Sequence, residues 1–180
     1  MLRFPFTLMS QISCLVNEVL PFPSIGFTCT ESSYHSTKNK CSNVFNDDRL
    51  EWVTGGESKG AWIHLSFHAK VMIRKILYRH NRRKSTTNQY FKDVLLEFSD
   101  QTNVNVTLEY PNDNQHPERE IYFKIDPPVL SSSLTIKVLS GYNLSMSDRS
   151  IRPQDWKTRY GISYIQIYGS QMEGKLILIV

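Results

Sequence analysis

Cysteine pairs, glycine-rich phosphate loops and long apolar runs are all scarce in this 180-residue chain, and each scarcity excludes something. Its three cysteines, Cys14, Cys29 and Cys41, lack the Cys-x-x-Cys spacing of a zinc site and the density of a disulfide scaffold. Their plain reading is as cytosolic thiols. In an exported chain, Cys29 could instead bridge Cys41, leaving Cys14 odd or removed with a signal peptide. The longest uncharged apolar stretch, Phe4 to Val16, is broken by Pro5, Ser10, Gln11 and Ser13. It falls short of the ~20 apolar residues that cross a bilayer, so no membrane span is expected. Behind Arg3 the same stretch has the look of a signal-peptide core, yet no small-x-small cleavage site precedes Glu18.

What is present fits a folded domain. Lys and Arg number 21 against 17 Asp and Glu, and 40% of residues are hydrophobic, a balance that excludes a disordered chain. From Ile25 onward the apolar residues recur in twos. Val104, Val106, Leu108 and Tyr110 alternate with Asn103, Asn105, Thr107 and Glu109, the pattern of a strand with one wet face. The same period marks Ile63-Leu65-Phe67, Val94-Leu96-Phe98, Ile121-Phe123-Ile125, Leu134-Ile136-Val138 and Ile165-Ile167, and Phe27 with Cys29 suggests a further strand. Turn signals separate them, at Asn46 to Asp48, Thr54 to Gly56, Ser99-Asp100, Pro111 to Asp113, Pro127-Pro128 and Gly141. No segment after Pro23 holds a helical period. The expected fold is therefore all-β, an antiparallel β-sandwich over residues 24–170, with an N-terminal tail or signal-like segment at 1–23 and a C-terminal tail at 171–180.

Order and spacing of several motifs carry a resemblance. Ser42 to Gly55 holds Asn46-Asp47-Asp48 and Trp52. It is followed by Gly60-Ala-Trp-Ile-His-Leu-Ser-Phe67, by Val71 to Tyr78, by the strand and Ser-Asp turn from Leu95 to Asp100, and by Gly161 to Tyr168-Gly169. From Ser24 to Gly169 the chain resembles the galactose-binding-like superfamily, most of all the coagulation factor 5/8 type C, or discoidin, domains. That resemblance implies a jelly-roll β-sandwich whose ligands are held by loops at one end. In such sites an aromatic face stacks on a sugar ring, while Arg, His or Asn bonds its hydroxyls. Carried over residue by residue, Arg79, His80, Asn81 and Arg82 stand where relatives often place a sugar-contacting arginine. Tyr34 and His35 in the first loop, and Trp156, Arg159 and Tyr160 before the last strand, would complete the site. Trp52 and Trp62 are expected in the core, since each brings large apolar area to a domain without helices.

Other chemistry is weaker. In many relatives the Asn46, Asp47, Asp48 turn helps hold a structural calcium ion, and its oxygen ligands suit a hard cation. Here Asp48 replaces the usual glycine, and Tyr164 stands where the family supplies a carboxylate. A polar turn is therefore expected, with no cofactor; calcium is the alternative. His64 and His68 have zinc spacing only on a helix; four residues along a strand separate them by ~13 Å. No Ser-His-Asp order or nucleophile elbow is visible, so the protein is not expected to be an enzyme.

Charge is uneven. Lys70, Arg74, Lys75, Arg79, Arg82, Arg83, Lys84 and Lys92 occupy a stretch with no acid between His68 and Asp93, with Arg79 to Lys84 expected as a loop. These eight exceed the whole-chain net charge of +4, so the remainder is net negative. Such a loop suits a sulfated glycan or another anionic cell-surface ligand, or else simply solubilises the protein. Nucleic acid is not the expected partner. The function expected is a non-catalytic binding module for a carbohydrate or cell-surface ligand; the alternative is an intracellular subunit that docks a protein partner. The sequons Asn105-Val-Thr107 and Asn143-Leu-Ser145 tilt the balance slightly toward an extracellular location over a cytoplasmic one.

Overall fold

The computed structural model describes residues 26–34, 36–46, 50–55, 59–80, 88–109, 120–142 and 159–171. The N-terminal segment 1–23 and residues 172–180 of the C-terminal segment lie outside them, as do Cys14 and the sequon residue Asn143. The elements are β1 (Phe27–Glu31), a 3-10 turn (Cys41–Phe45), β2 (Trp52–Val53), β3 (Trp62–His80), β4 (Asn88–Gln89), β5 (Asp93–Phe98), β6 (Asn103–Thr107), β7 (Glu120–Val138) and β8 (Arg159–Gln171). Among the described residues the single 3-10 turn is the only helical element. No helix there is long and apolar enough to cross a membrane.

The frame is a long antiparallel ribbon of β3 and β7, paired from Trp62 opposite Lys137 to Arg79 opposite Glu120. Two register shifts, between Ser66 and Val71 and between Ile73 and Lys75, divide it into halves. The first half is flanked by β1 on one side and by β5 and β6 on the other. On the second half β8 joins β3 and carries β2 on its far edge. Inward residues of both halves, Ile63 and Leu65 from the first and Ile73, Ile76 and Ile125 from the second, meet Leu96, Leu134 and Ile167 in one core. The bend thus makes an antiparallel β-sandwich, its two layers sharing their central strands.

Period-two alternation explains which side chains go in. Val94, Leu96 and Phe98 are buried while their neighbours Asp93, Leu95 and Glu97 are only half covered. On the edge strand β6, Val104 and Val106 turn inward and Asn105 outward. The expected turn at Pro127-Pro128 is a correction: these residues lie inside β7, at an irregularity of the ladder rather than at a turn that ends a strand. No ladder pairing is made at these prolines, and residues 125–128 fall opposite the irregularity at Arg74. Proline, having no N–H to donate, is tolerated at such an irregular point. Arg79 and His80 likewise belong to β3 rather than to a loop.

The two tryptophans part company. Trp52 has no exposed surface, and its indole N–H donates to the Ser33 carbonyl at 3.0 Å. Trp62, also expected in the core, is half-buried on the outer face. Strand parity is the reason: Ile63 and Leu65 point inward, so Trp62, His64 and Ser66 point out. Cys29 and Cys41 are disulfide-bonded, tying β1 to the 3-10 turn, so the reading as free thiols is corrected for this pair. Gly169 in β8 lies so close to Met72 that a β-carbon there would stand 1.9 Å from its carbonyl oxygen. Glycine is thus required where the closing strand meets β3.

Candidate functional site

Hydrogen bonds bring several sequence-distant segments to one end of the sandwich. The loop after β1 is anchored through Ser33 to Trp52. Trp52 sits opposite Ile162 in β8, which is also opposite His80 at the end of β3. β4 pairs with the first residues of β8, Arg159 and Tyr160. Tyr34, Arg79, His80 and the backbone of Arg159 and Tyr160 are therefore gathered at this end. His35, Asn81, Arg82 and Trp156 lie outside the described residues, as does Arg83.

Tyr34 is exposed, with the Lys40 ammonium 5.7 Å from its ring centroid. Arg79 lies on the outer face. Its Nε and Nη2 donate to Glu120 Oε1 at 3.2 and 2.5 Å, and its guanidinium carbon stacks 4.6 Å from the Tyr164 ring centroid. The planar group is held in one orientation by these contacts. Glu120 also accepts from the Tyr122 hydroxyl, at 2.6 Å. This bond and the Arg79 guanidinium hold the Glu120 carboxyl below its ordinary range, and the phenol of Tyr122 is pushed up in return. Nearby, the Lys75 ammonium lies 4.7 and 4.1 Å from the ring centroids of Tyr122 and Tyr168. Three cations of the basic stretch are thus engaged by aromatic rings, Arg79, Lys75 and Lys92, the last 5.9 Å from the Tyr142 ring centroid, whereas Lys70 and Arg74 are exposed.

His80 has no ring nitrogen to offer a ligand. It is 1% exposed. Its Nε2–H donates to the Glu109 carbonyl at 2.9 Å, which leaves Nδ1 to accept from the Tyr78 hydroxyl at 3.0 Å. Burial lowers its pKa from 6.5 to about 4, outweighing the Glu109 bond that favours the charged form. The Tyr78 phenol is pushed well up, first by burial and then by Tyr90. Ser163 donates to the His80 carbonyl at 2.6 Å. These contacts make His80 a structural pin beneath the end of the sandwich.

Of the suggested calcium turn, Asn46 is exposed, and Asp47 and Asp48 lie outside the described residues. Among the described residues the only cluster with metal-ligand character is Cys29, Glu31 and Cys41, and its two sulfurs are spent in the disulfide. His64 bonds Thr135 and Ser66 rather than pairing with His68.

Nothing local in the sequence marks Glu120, 41 positions from Arg79, as its partner. Only the pairing of β3 with β7 sets them opposite. The core assignment of Trp62 fails for a different reason: the alternation of Ile63, Leu65 and Phe67 already places Trp62 on the opposite face, and large apolar area is a weaker guide to burial than strand parity.

Residues 30–146 match the family described as "Domain of unknown function (DUF7402)". No curated protein matches the chain. Solved structures of the same fold include the family 32 CBM of Clostridium perfringens NanJ, in complex with galactose, at 13% identity and a TM-score of 0.56, covering 79% of this chain and 93% of that one. An F5/8 type C domain from Bacteroides fragilis shares 12% identity at a TM-score of 0.57, over 82% of this chain and 93% of its own. Discoidin II of Dictyostelium discoideum shares 12% at 0.55, over 79% of this chain and 54% of that one. At such identities the likeness shows the fold alone, the β-sandwich that these domains share.

Proposed function

This chain belongs to the DUF7402 family, and we propose that it is a non-catalytic binding module that recognises a carbohydrate or an anionic cell-surface ligand through the end of the sandwich bearing Tyr34, Arg79 and the start of β8. The observation that carries this reading is the Arg79 guanidinium, stacked on Tyr164 and clamped by Glu120 at the end where three chain segments converge. A planar donor fixed beforehand loses little entropy when it meets a ligand oxygen. Support comes from neighbours of the same fold: one was solved with galactose, and another from Clostridium perfringens with GalNAc-β-1,3-galactose. His35, Asn81, Arg82, Trp156, Arg159 and Tyr160 remain part of the proposed contact set. No cofactor enters the reading, and calcium at the Asn46 turn is not required by it.

The Cys29–Cys41 disulfide favours an oxidising compartment and hence an extracellular protein over the intracellular docking subunit. The test is a glycan array run beside a pull-down, followed by Arg79→Lys. A neutral-sugar site loses affinity with Arg79→Lys, which keeps the charge and removes the fork, and is indifferent to salt. An electrostatic site does the reverse, because exposed charges are screened beyond ~10 Å at ordinary ionic strength. Binding that answers to neither change removes this end of the sandwich as the site.

A further inference from the structure

The outer face of the first half-ribbon holds a cavity that the loop-end reading does not use. Six residues from four strands line it: Thr30, Trp62, His64, Glu97, Thr135 and Lys137, around a volume of about 320 Å³. Register explains the grouping. Thr30 stands opposite His64, His64 opposite Thr135, and Thr135 opposite Glu97, one row running from β1 to β5. The next row sets Trp62 opposite Lys137. At ~4.8 Å between strands, the row spans about 14 Å.

The polar groups divide into a spent floor and unspent walls. His64 is held through Nδ1 to Thr135 Oγ1 at 2.8 Å and through Nε2 to Ser66 Oγ at 3.1 Å, so the floor is rigid. Among the described residues, the Trp62 indole N–H, the Glu97 carboxylate, the Lys137 ammonium and the Thr30 hydroxyl make no hydrogen bond or ion pair within the chain. Glu97 and Lys137 face the same space without pairing with each other. A half-buried tryptophan face, one strong acceptor, one strong donor and a hydroxyl therefore converge on a concave surface, as a small-molecule site requires. A solvated sheet face has no physical need of tryptophan, whose large apolar area raises the cost of exposure.

We propose that this groove is a second binding site, for a neutral pyranose-bearing glycan lying across the strands. The apolar face of a sugar ring matches the Trp62 ring. Its hydroxyls donate to Glu97 and accept from Lys137, Thr30 and the indole N–H. One carboxylate and one ammonium cancel, so the groove has no preference for an anion, unlike the basic end of the domain. Charge-assisted bonds from Glu97 and Lys137 give the affinity its polar part. The site stands independently of Arg79.

The experiment titrates the whole chain with galactose, N-acetylgalactosamine and neutral chito-oligosaccharides. Binding is followed by calorimetry and by the NMR signal of the Trp62 indole N–H, assigned through Trp62→Phe. The expected result is a saturable shift of that signal, with affinity cut at least about tenfold by Glu97→Gln and by Trp62→Ala and left unchanged by Arg79→Lys or by added salt. Circular dichroism and thermal melts accompany each variant. Should Trp62→Ala fail to fold, Glu97→Gln, which keeps the shape of the side chain, decides. No shift of the Trp62 signal at millimolar probe overturns the proposal, as does binding that survives Glu97→Gln at full strength. Binding abolished by Arg79→Lys but untouched by Glu97→Gln and Trp62→Phe would sink the groove while leaving the loop-end site standing. The converse leaves the groove standing and restricts the loop-end site to ligands other than these neutral sugars.

Discussion

Acidification should weaken this fold in a pH window set by one buried histidine. His80 is neutral in the folded protein, its Nδ1 accepting from Tyr78 and its Nε2–H donating to Glu109. Burial holds its pKa at about 4, against 6.5 when solvated. A group whose folded pKa is depressed contributes its full stability above the unfolded value and loses it as pH falls through the folded one. The loss therefore begins near pH 6.5 and is complete near pH 4. Across that interval, at about 1.4 kcal/mol per pH unit, it amounts to about 3 kcal/mol, a large part of the 5 to 15 kcal/mol typical of a domain. Urea unfolding followed by fluorescence at pH 7.5, 6.5, 5.5 and 4.5 measures the slope. His80→Gln, which cannot titrate, should lower stability at pH 7.5 and flatten the slope through this window. Asp93, Asp100 and Glu120 have carboxyls held below their ordinary range by hydrogen bonds from Ser140, Thr102 and Tyr122, so their contributions are lost from about pH 5 downward and overlap only the acid end of the His80 window. An equal slope in wild type and His80→Gln, or an NMR titration placing His80 near 6.5, would refute the reasoning.

Trp52→Ala should cost about 3 to 5 kcal/mol, because a fully buried aromatic leaves a cavity and the Ser33 carbonyl loses its donor; a thermal melt that shifts no more than that of Trp62→Ala would contradict the assignment of Trp52 to the core and Trp62 to the surface. Reducing the Cys29–Cys41 disulfide, which closes a loop of 12 residues, should cost about 3 kcal/mol by releasing the unfolded chain. A melting temperature unchanged by reductant, or two reactive thiols at these positions in the native protein, would argue against the bond.

Strand number and facing are largely legible in the amino-acid pattern, since a period of two needs only adjacent residues. Val94-Leu96-Phe98 and Leu134-Ile136-Val138 alternate clearly, and each buries the side that the pattern dictates. The family resemblance is legible for a related reason. Trp52 and the closing Tyr168-Gly169 are demanded by local geometry, a core that takes one large ring and a strand contact that leaves no room for a β-carbon. Relations between distant strands cannot be read this way. Pairing of β3 with β7 puts Glu120 against Arg79, and nothing nearer in the chain does so. Whether His80 serves a ligand or the core depends on Tyr78, Tyr90 and Glu109 closing around it, which burial decides and sequence spacing does not. Likewise Trp62 and Trp52 look alike in sequence, two aromatic residues beside glycine turns. Alternation with Ile63 and Leu65 turns Trp62 outward, but only the pairing of β3, β7 and β5 sets it beside Glu97 and Lys137 at an open groove, because a one-residue slip would exchange the two faces of the sheet.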